Sequence, residues 1–340
     1  MLRRAGLLLL SGLSLSTLAH ATVQQDPRVA SLGTCRLSGG GTLANCRIGY
    51  RTFGRLSAAR DNVVLVPTWL QGRSEDWIPL IGHRGYVDTT RFHVIIVDAL
   101  GDGHSSSPSS LPEHGRAAFP ELSIADMVTS QYRLLTEKLE IKHLHAVVGF
   151  SMGGMQAFEW AVRYPTFLDR AVPIAGSPRL GAFDHLLWTA HLQEIENGLR
   201  AGIPPDSIWA QLARLEALLI QTPAGVNRLT WDSVMAATSA QASIYRKAWA
   251  LEDFAAQLKA IRQHDVSRAF GGDMAQAAKA VRAQVLIVHS PDDHMVTSGP
   301  AVEFARMIRA RALLIPSECG HIAIFCQQDT LAAAVRGFLQ

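Results

Sequence analysis

Apolar residues along this chain follow two rhythms. The first is a set of short, nearly unbroken apolar runs of strand length, at residues 62–67, 92–98, 145–148, 170–175, 284–289 and 312–316. Runs rich in valine and isoleucine and closed by turn residues fit strands buried on both faces. The second rhythm has helical spacing and is clearest over residues 124–139, with Ser123 placed to cap the helix. Strands alternating with helices predict an α/β fold with a mostly parallel, doubly wound sheet. Two short strand patterns precede it, joined by the turn-rich Ser38-Gly39-Gly40-Gly41-Thr42, and read as a hairpin.

From about residue 180 to residue 281 the strand rhythm stops. The stretch is rich in alanine and leucine at helical spacing and carries Trp188, Trp209, Trp231 and Trp249. It is too long for a plain loop in a compact domain. It predicts a helical lid insertion whose aromatics together form an apolar roof over a site.

The N-terminus reads as a secretory signal over residues 1–21: Arg3 and Arg4, an apolar run at 7–18, and the small-x-small site Ala19-His20-Ala21. The run is too short to cross a bilayer comfortably, so no membrane span is expected after cleavage. Residues 22–340 then form a single catalytic domain, exported to the periplasm or beyond the cell. The formal charge of +3 falls to +1 when Arg3 and Arg4 leave with an acid-free leader. No basic block occurs, so neither nucleic acid nor an anionic membrane is an implied partner.

Four cysteines suit an oxidising compartment. Cys35 and Cys46 flank the hairpin turn, and a bridge there is the reading. Cys319 and Cys326 bracket His321, where a bridge would pin the loop. Buried free thiols are the alternative for both pairs.

The chemistry centres on Val147-Val148-Gly149-Phe150-Ser151-Met152-Gly153-Gly154-Met155-Gln156, a G-x-S-x-G pattern between a strand and a helix. There a serine on a sharp turn stands above the sheet at a helix N-terminus, where negative charge is favoured. A serine nucleophile needs a base, and the base an orienting carboxylate. Asp292 and Asp293 follow the 284–289 strand and His321 follows the last one, each at the carboxyl edge of the sheet. The oxyanion hole calls for two backbone N–H groups. Met152 supplies one, and the loop Thr68-Trp69-Leu70-Gln71-Gly72 the other, through Leu70 first and Trp69 second. His289, Asp292, Asp293 and His294 are dense in acids and imidazoles, and His143 and His145 lie close together. Neither set has a recognised metal-ligand spacing. No phosphate-binding loop occurs and no cofactor is implied.

The run from Gly149 through Gly153-Gly154-Met155-Gln156 to Trp160 resembles the elbow of the homoserine O-acetyltransferase family of α/β-hydrolases. The likeness extends from about residue 43 to the C-terminus and includes residues 141–148, the Gly/Ser-rich loop 101–110 and Gly320-His321. It implies an α/β-hydrolase fold, a triad of Ser151, Asp293 and His321, and a Gly/Ser-rich loop beside the site. Asp293 is selected because it precedes His294-Met295-Val296 as the family's acid precedes its corresponding segment. Members often pair, which leaves a homodimer open. Two positions depart. The family's transferases carry Asp directly after the catalytic His, where it helps bind the homoserine amino group; here Ile322 stands there. Their oxyanion strand ends His-Ala-Leu-Thr-Gly; here it is Thr68-Trp69-Leu70-Gln71-Gly72. Both changes, and export away from cytosolic acetyl-CoA and homoserine, point to a carboxylic-ester hydrolase acting on a small-molecule ester. An O-acyltransferase is the alternative. Amide hydrolysis and a non-catalytic binding protein on the same fold rank below it.

Overall fold

The computed structural model describes residues 26–340. The expected signal at 1–21 lies outside the described residues. Eight strands form one sheet in the order β1-β2-β4-β3-β5-β6-β7-β8. They are β1 (Arg28–Arg36), β2 (Thr42–Phe53), β3 (Val63–Pro67), β4 (His93–Val97), β5 (Leu144–Phe150), β6 (Leu168–Ile174), β7 (Gln284–His289) and β8 (Arg311–Leu314). β1 and β2 pair antiparallel, and β2 joins β4 antiparallel. All remaining pairings are parallel. The expected hairpin is thus longer than its sequence pattern suggested and forms one edge of the main sheet.

The two-sided burial that the apolar runs predicted is realised strand by strand. In β3, Val63 and Leu65 enter one core while Val64 and Val66 enter the other. β4 divides the same way, Ile95 and Val97 against Val94 and Ile96. Each such side chain taken wholly from water stabilises by about 1.5–3 kcal/mol.

Helix α1 (Ile124–Arg133) begins where Ser123 accepts from the Asp126 amide, with the Asp126 side chain returning the bond to Ser123 N. The chain then widens into a π turn over Leu134–Lys138, and the α-helix ends earlier than its spacing suggested. α2 (Met152–Arg163) follows β5 directly. Between β6 and β7 the chain is helical: α3 (Ala182–Arg200), α4 (Pro205–Ile220), α5 (Pro223–Val226), α6 (Trp231–Ala248), α7 (Leu251–Arg262) and α8 (Met274–Ala280). α9 (Gly299–Met307) separates β7 from β8, and α10 (Ala323–Cys326) and α11 (Gln328–Leu339) end the chain.

Both disulfides form as read. Cys35–Cys46 crosses the β1–β2 hairpin, and Cys319–Cys326 closes a loop around the short turn Gly320–Ile322. Cys319 is therefore no free nucleophile.

Candidate active site

β5 delivers its chain to the carboxyl edge of the sheet and reverses into α2 within one residue. That residue, Ser151, has φ 55° and ψ −120°. A non-glycine residue held there stores roughly 1–3 kcal/mol. Two bonds hold it: the Ser151 amide donates to Ile174 O at 2.8 Å, and the Met155 amide donates to Ser151 O at 3.0 Å. The flanking glycines are required by contact. A Cβ on Gly149 would sit 2.0 Å from Gly153 O, and one on Gly153 would sit 2.5 Å from Pro67 O. No side chain fits either gap.

Three residues from distant parts of the chain meet above this turn. The Ser151 hydroxyl lies 2.9 Å from His321 Nε2, and His321 Nδ1 lies 2.8 Å from Asp293 Oδ2. With Nδ1–H donating to the carboxylate, Nε2 is left to accept the serine proton. Asp293 Oδ1 accepts from the Met295 and Val296 amides, both at 2.9 Å. Burial alone would raise the Asp293 pKa. The adjacent His321, its hydrogen bond, His289 and the Val296 amide outweigh that and hold it below the ordinary value. Asp292, the rival carboxylate, is exposed and accepts instead from the Ser317 amide at 3.3 Å, which ties the two loops together.

The loop bearing His321 is held from several sides. The disulfide closes it. Tyr86 donates to Ile324 O at 2.6 Å, and Thr222, ahead of α5, donates its amide and hydroxyl to Glu318 O at 3.1 and 3.0 Å.

The Met152, Leu70 and Trp69 amides have no hydrogen-bond partner among the described residues. Leu70 and Trp69 both line the cavity that contains Ser151. Two glutamines that the sequence reading gave no role fix this loop. Gln156 Nε2 donates to Thr68 O at 3.0 Å and to Met152 O at 3.2 Å. Gln156 is itself held by Gln131, which accepts from Trp160 Nε1 at 2.8 Å. From the other side Gln257 of α7 accepts from the Gln71 amide at 2.7 Å and donates to Leu100 O at 3.1 Å. Gln156 stood in the elbow motif as a polar residue on an apolar helix, and that was its signal. Gln257 had none.

The cavity over Ser151 and His321 has a volume of about 280 Å³. Trp188, Trp249, Phe254, Phe325, Met295 and Ile322 contribute its apolar wall. Of the four tryptophans expected in the roof, Trp188 and Trp249 line it, and Trp209 packs behind against Tyr245, Trp249 and Phe254. Trp231, 74% exposed, takes no part. Glu216 of α4 also faces the cavity, with Tyr245 of α6 donating to its Oε2. Burial raises the Glu216 pKa to about 7, against the opposing pull of Tyr245 and His321.

Other candidates lie elsewhere. None of residues 101–110 lines the cavity. That Gly/Ser-rich loop is tied instead to β2 through Ser105 and Ser106 and to Asp253 of α7 through Ser109. His143 pairs with Asp169 at 2.9 Å, and His145 Nε2 lies 2.7 Å from Leu339 O.

Residues 61–326 match the family described as alpha/beta hydrolase fold. A probable esterase of Corynebacterium glutamicum is 29% identical, covering 80% of this chain and 82% of that protein. An ethyl acetate hydrolase of Pseudomonas veronii is 31% identical over 78% of this chain and 80% of its own length. A homoserine O-acetyltransferase of Trichormus variabilis is 38% identical over 51% of this chain and 48% of its own. The structure of an acetylester hydrolase from C. glutamicum superposes with a TM-score of 0.84 at 25% identity, covering 92% of this chain and 95% of that one. An elbow serine at the carboxyl edge of this sheet, together with these matches, places the chain in the α/β-hydrolase fold family.

Proposed function

We propose that this protein is an exported carboxylic-ester hydrolase that works through an acyl-serine intermediate. The observation that carries the reading is the continuous hydrogen-bonded array Ser151–His321–Asp293 at the floor of a mainly apolar cavity. Ser151 Oγ attacks the ester carbonyl carbon while its proton passes to His321 Nε2. Asp293 keeps the Nδ1 proton in place and stabilises the imidazolium that forms. The amides of Met152 and Leu70 receive the developing oxyanion; losing one such donor costs on the order of 3 kcal/mol in the transition state. Collapse breaks the ester C–O bond, and the departing alcohol takes the proton from His321. Water then loses a proton to His321 and attacks the acyl carbon; the bond from that carbon to Ser151 Oγ breaks, Oγ takes the proton back from His321, and the acid leaves.

Two observations favour water over another acceptor. In sequence, a probable esterase and an ethyl acetate hydrolase align over most of this chain, whereas the acetyltransferase aligns over half. Ile322, in the position where the transferases carry an aspartate, lines the cavity and cannot pair with an ammonium group. The 38% identity to the acetyltransferase supports acyl transfer as the second reading. Export is supported by the signal-like N-terminus and by two disulfides, which persist in oxidising compartments.

The test is turnover of p-nitrophenyl esters of increasing chain length, with and without excess homoserine, with Ser151→Ala as control. The expected result is p-nitrophenol release with free acid as product, unchanged by homoserine. O-acyl homoserine as product, or turnover with acetyl-CoA alone as donor, would overturn hydrolysis in favour of transfer.

A further inference from the structure

The cavity above Ser151 carries a single carboxyl group among its lining residues, and it belongs to the roof. Glu216 lies among Leu215, Ala217, Leu218 and Leu219 on α4, yet is 6% exposed. Its Oε2 accepts from Tyr245. Its Oε1 has no hydrogen-bond partner among the described residues, although the residue faces the cavity. Tyr245 is buried and held neutral, its pKa raised first by burial and then by Glu216, so it stays a donor.

A second cavity of about 170 Å³ lies between α4, α5 and α6, and its wall shares Glu216, Ile220, Gln241 and Tyr245 with the first. A substrate part that extends from Ser151 toward α4 and α6 meets Glu216 at the junction of the two spaces. An apolar group there would cover a carboxyl oxygen and leave it without a partner, which carries a desolvation penalty. A hydroxyl or amino group would donate to it.

We infer that Glu216 is the specificity-determining residue of this pocket, and that it selects esters bearing a hydroxyl or amino group on the part that reaches the junction of α4 and α6. This rests on the ester-cleavage reading above. Tyr245 is the positioning residue: it occupies one carboxylate oxygen and turns the other toward the substrate. Burial and the near-neutral pKa of about 7 agree with a carboxyl whose second oxygen awaits a ligand.

Two isosteric pairs test it, one for each half of the ester: 2-hydroxyethyl acetate against propyl acetate, and p-nitrophenyl 3-hydroxybutyrate against p-nitrophenyl isovalerate. In at least one pair the hydroxyl-bearing member should show kcat/KM higher by about 10-fold or more. Glu216→Leu should remove that ratio. Glu216→Gln, which keeps a carbonyl acceptor and the Tyr245 bond, should retain part of it. A merely structural role would lower all four substrates together and leave the ratio unchanged in the variants. Equal kcat/KM within both pairs for the wild type, or a ratio that survives Glu216→Leu, would overturn the inference. Failure to turn over any of the four esters would instead overturn the ester reading, and this inference with it.

Discussion

Two carboxylates feel the same imidazole, that of His321, in opposite surroundings. Asp293, on the loop after β7, uses Oδ1 for two backbone amides and Oδ2 for His321. Its pKa is held below the ordinary value despite burial. Glu216, on the helical insertion, has one tyrosine partner among aromatic and aliphatic side chains, and burial lifts its pKa to about 7. The Asp293 site is built to keep a charge, and the Glu216 site to make one costly until a ligand answers it. The sheet edge thus supplies fixed electrostatics for the reaction, while the insertion supplies a pocket wall open to a substrate hydrogen bond.

The largest expected effect isolates the floor. Ser151→Ala removes one oxygen from a turn held by backbone bonds, so the fold should remain and turnover should fall by about 10⁴-fold or more. Steady-state rates beside thermal melts check this. A variant that keeps even a hundredth of the activity would locate the chemistry elsewhere.

The next prediction separates the two carboxylates by pH. The folded Glu216 pKa lies above its unfolded value, so the folded state binds the proton more tightly. The contribution of Glu216 to stability should therefore fall as pH rises from about 4.5 through about 7, by up to about 3 kcal/mol. Glu216→Gln should melt higher than wild type at pH 8 and show no such gain at pH 4.5. Asp293 has the opposite sign. Its folded pKa is depressed, so its contribution is present above the unfolded value and is lost as pH falls through the folded one. Asp293→Asn should destabilise at pH 8, and less so in acid. Melting curves at several pH values that show the same sign for both variants would erase the contrast between floor and roof.

The smallest effect concerns how the floor is held. A paired Cys319→Ser and Cys326→Ser variant opens the loop around His321 while leaving Cys35–Cys46 intact. Turnover should fall on the order of 10-fold, because small displacements of a catalytic group are costly, with helix content nearly unchanged by circular dichroism. Equal loss of both would argue that the bridge staples the fold rather than the site, and loss of neither that it clamps nothing the reaction needs.

The floor was legible because its constraints are local. A serine at positive φ needs glycine at 149 and 153, where a Cβ would strike backbone oxygens, and that leaves a short motif in the chain. Asp293 and His321 were found by their places after successive strands, since parallel strands bring all their carboxyl ends to one edge. The choice between Asp292 and Asp293 followed the family pattern, and the structure places the second in the array and the first at solvent. The roof was less legible. Helical spacing located the insertion, but could not say that Trp188 and Trp249 would line the cavity while Trp231 would face solvent. Glu216 left one trace, a lone acid within an apolar stretch of helix.

By itself the sequence determined the α/β alternation, the hairpin, the elbow and the order of serine, acid and histidine. Each follows from local backbone geometry or from the period of buried side chains. Tertiary structure alone decided that Gln156 and Gln257 clamp the loop that carries Trp69 and Leu70, and that Glu216 meets Tyr245 over the pocket. Those contacts join residues as many as 186 positions apart. Their energies depend on the burial and dielectric of the assembled site, which no local pattern encodes.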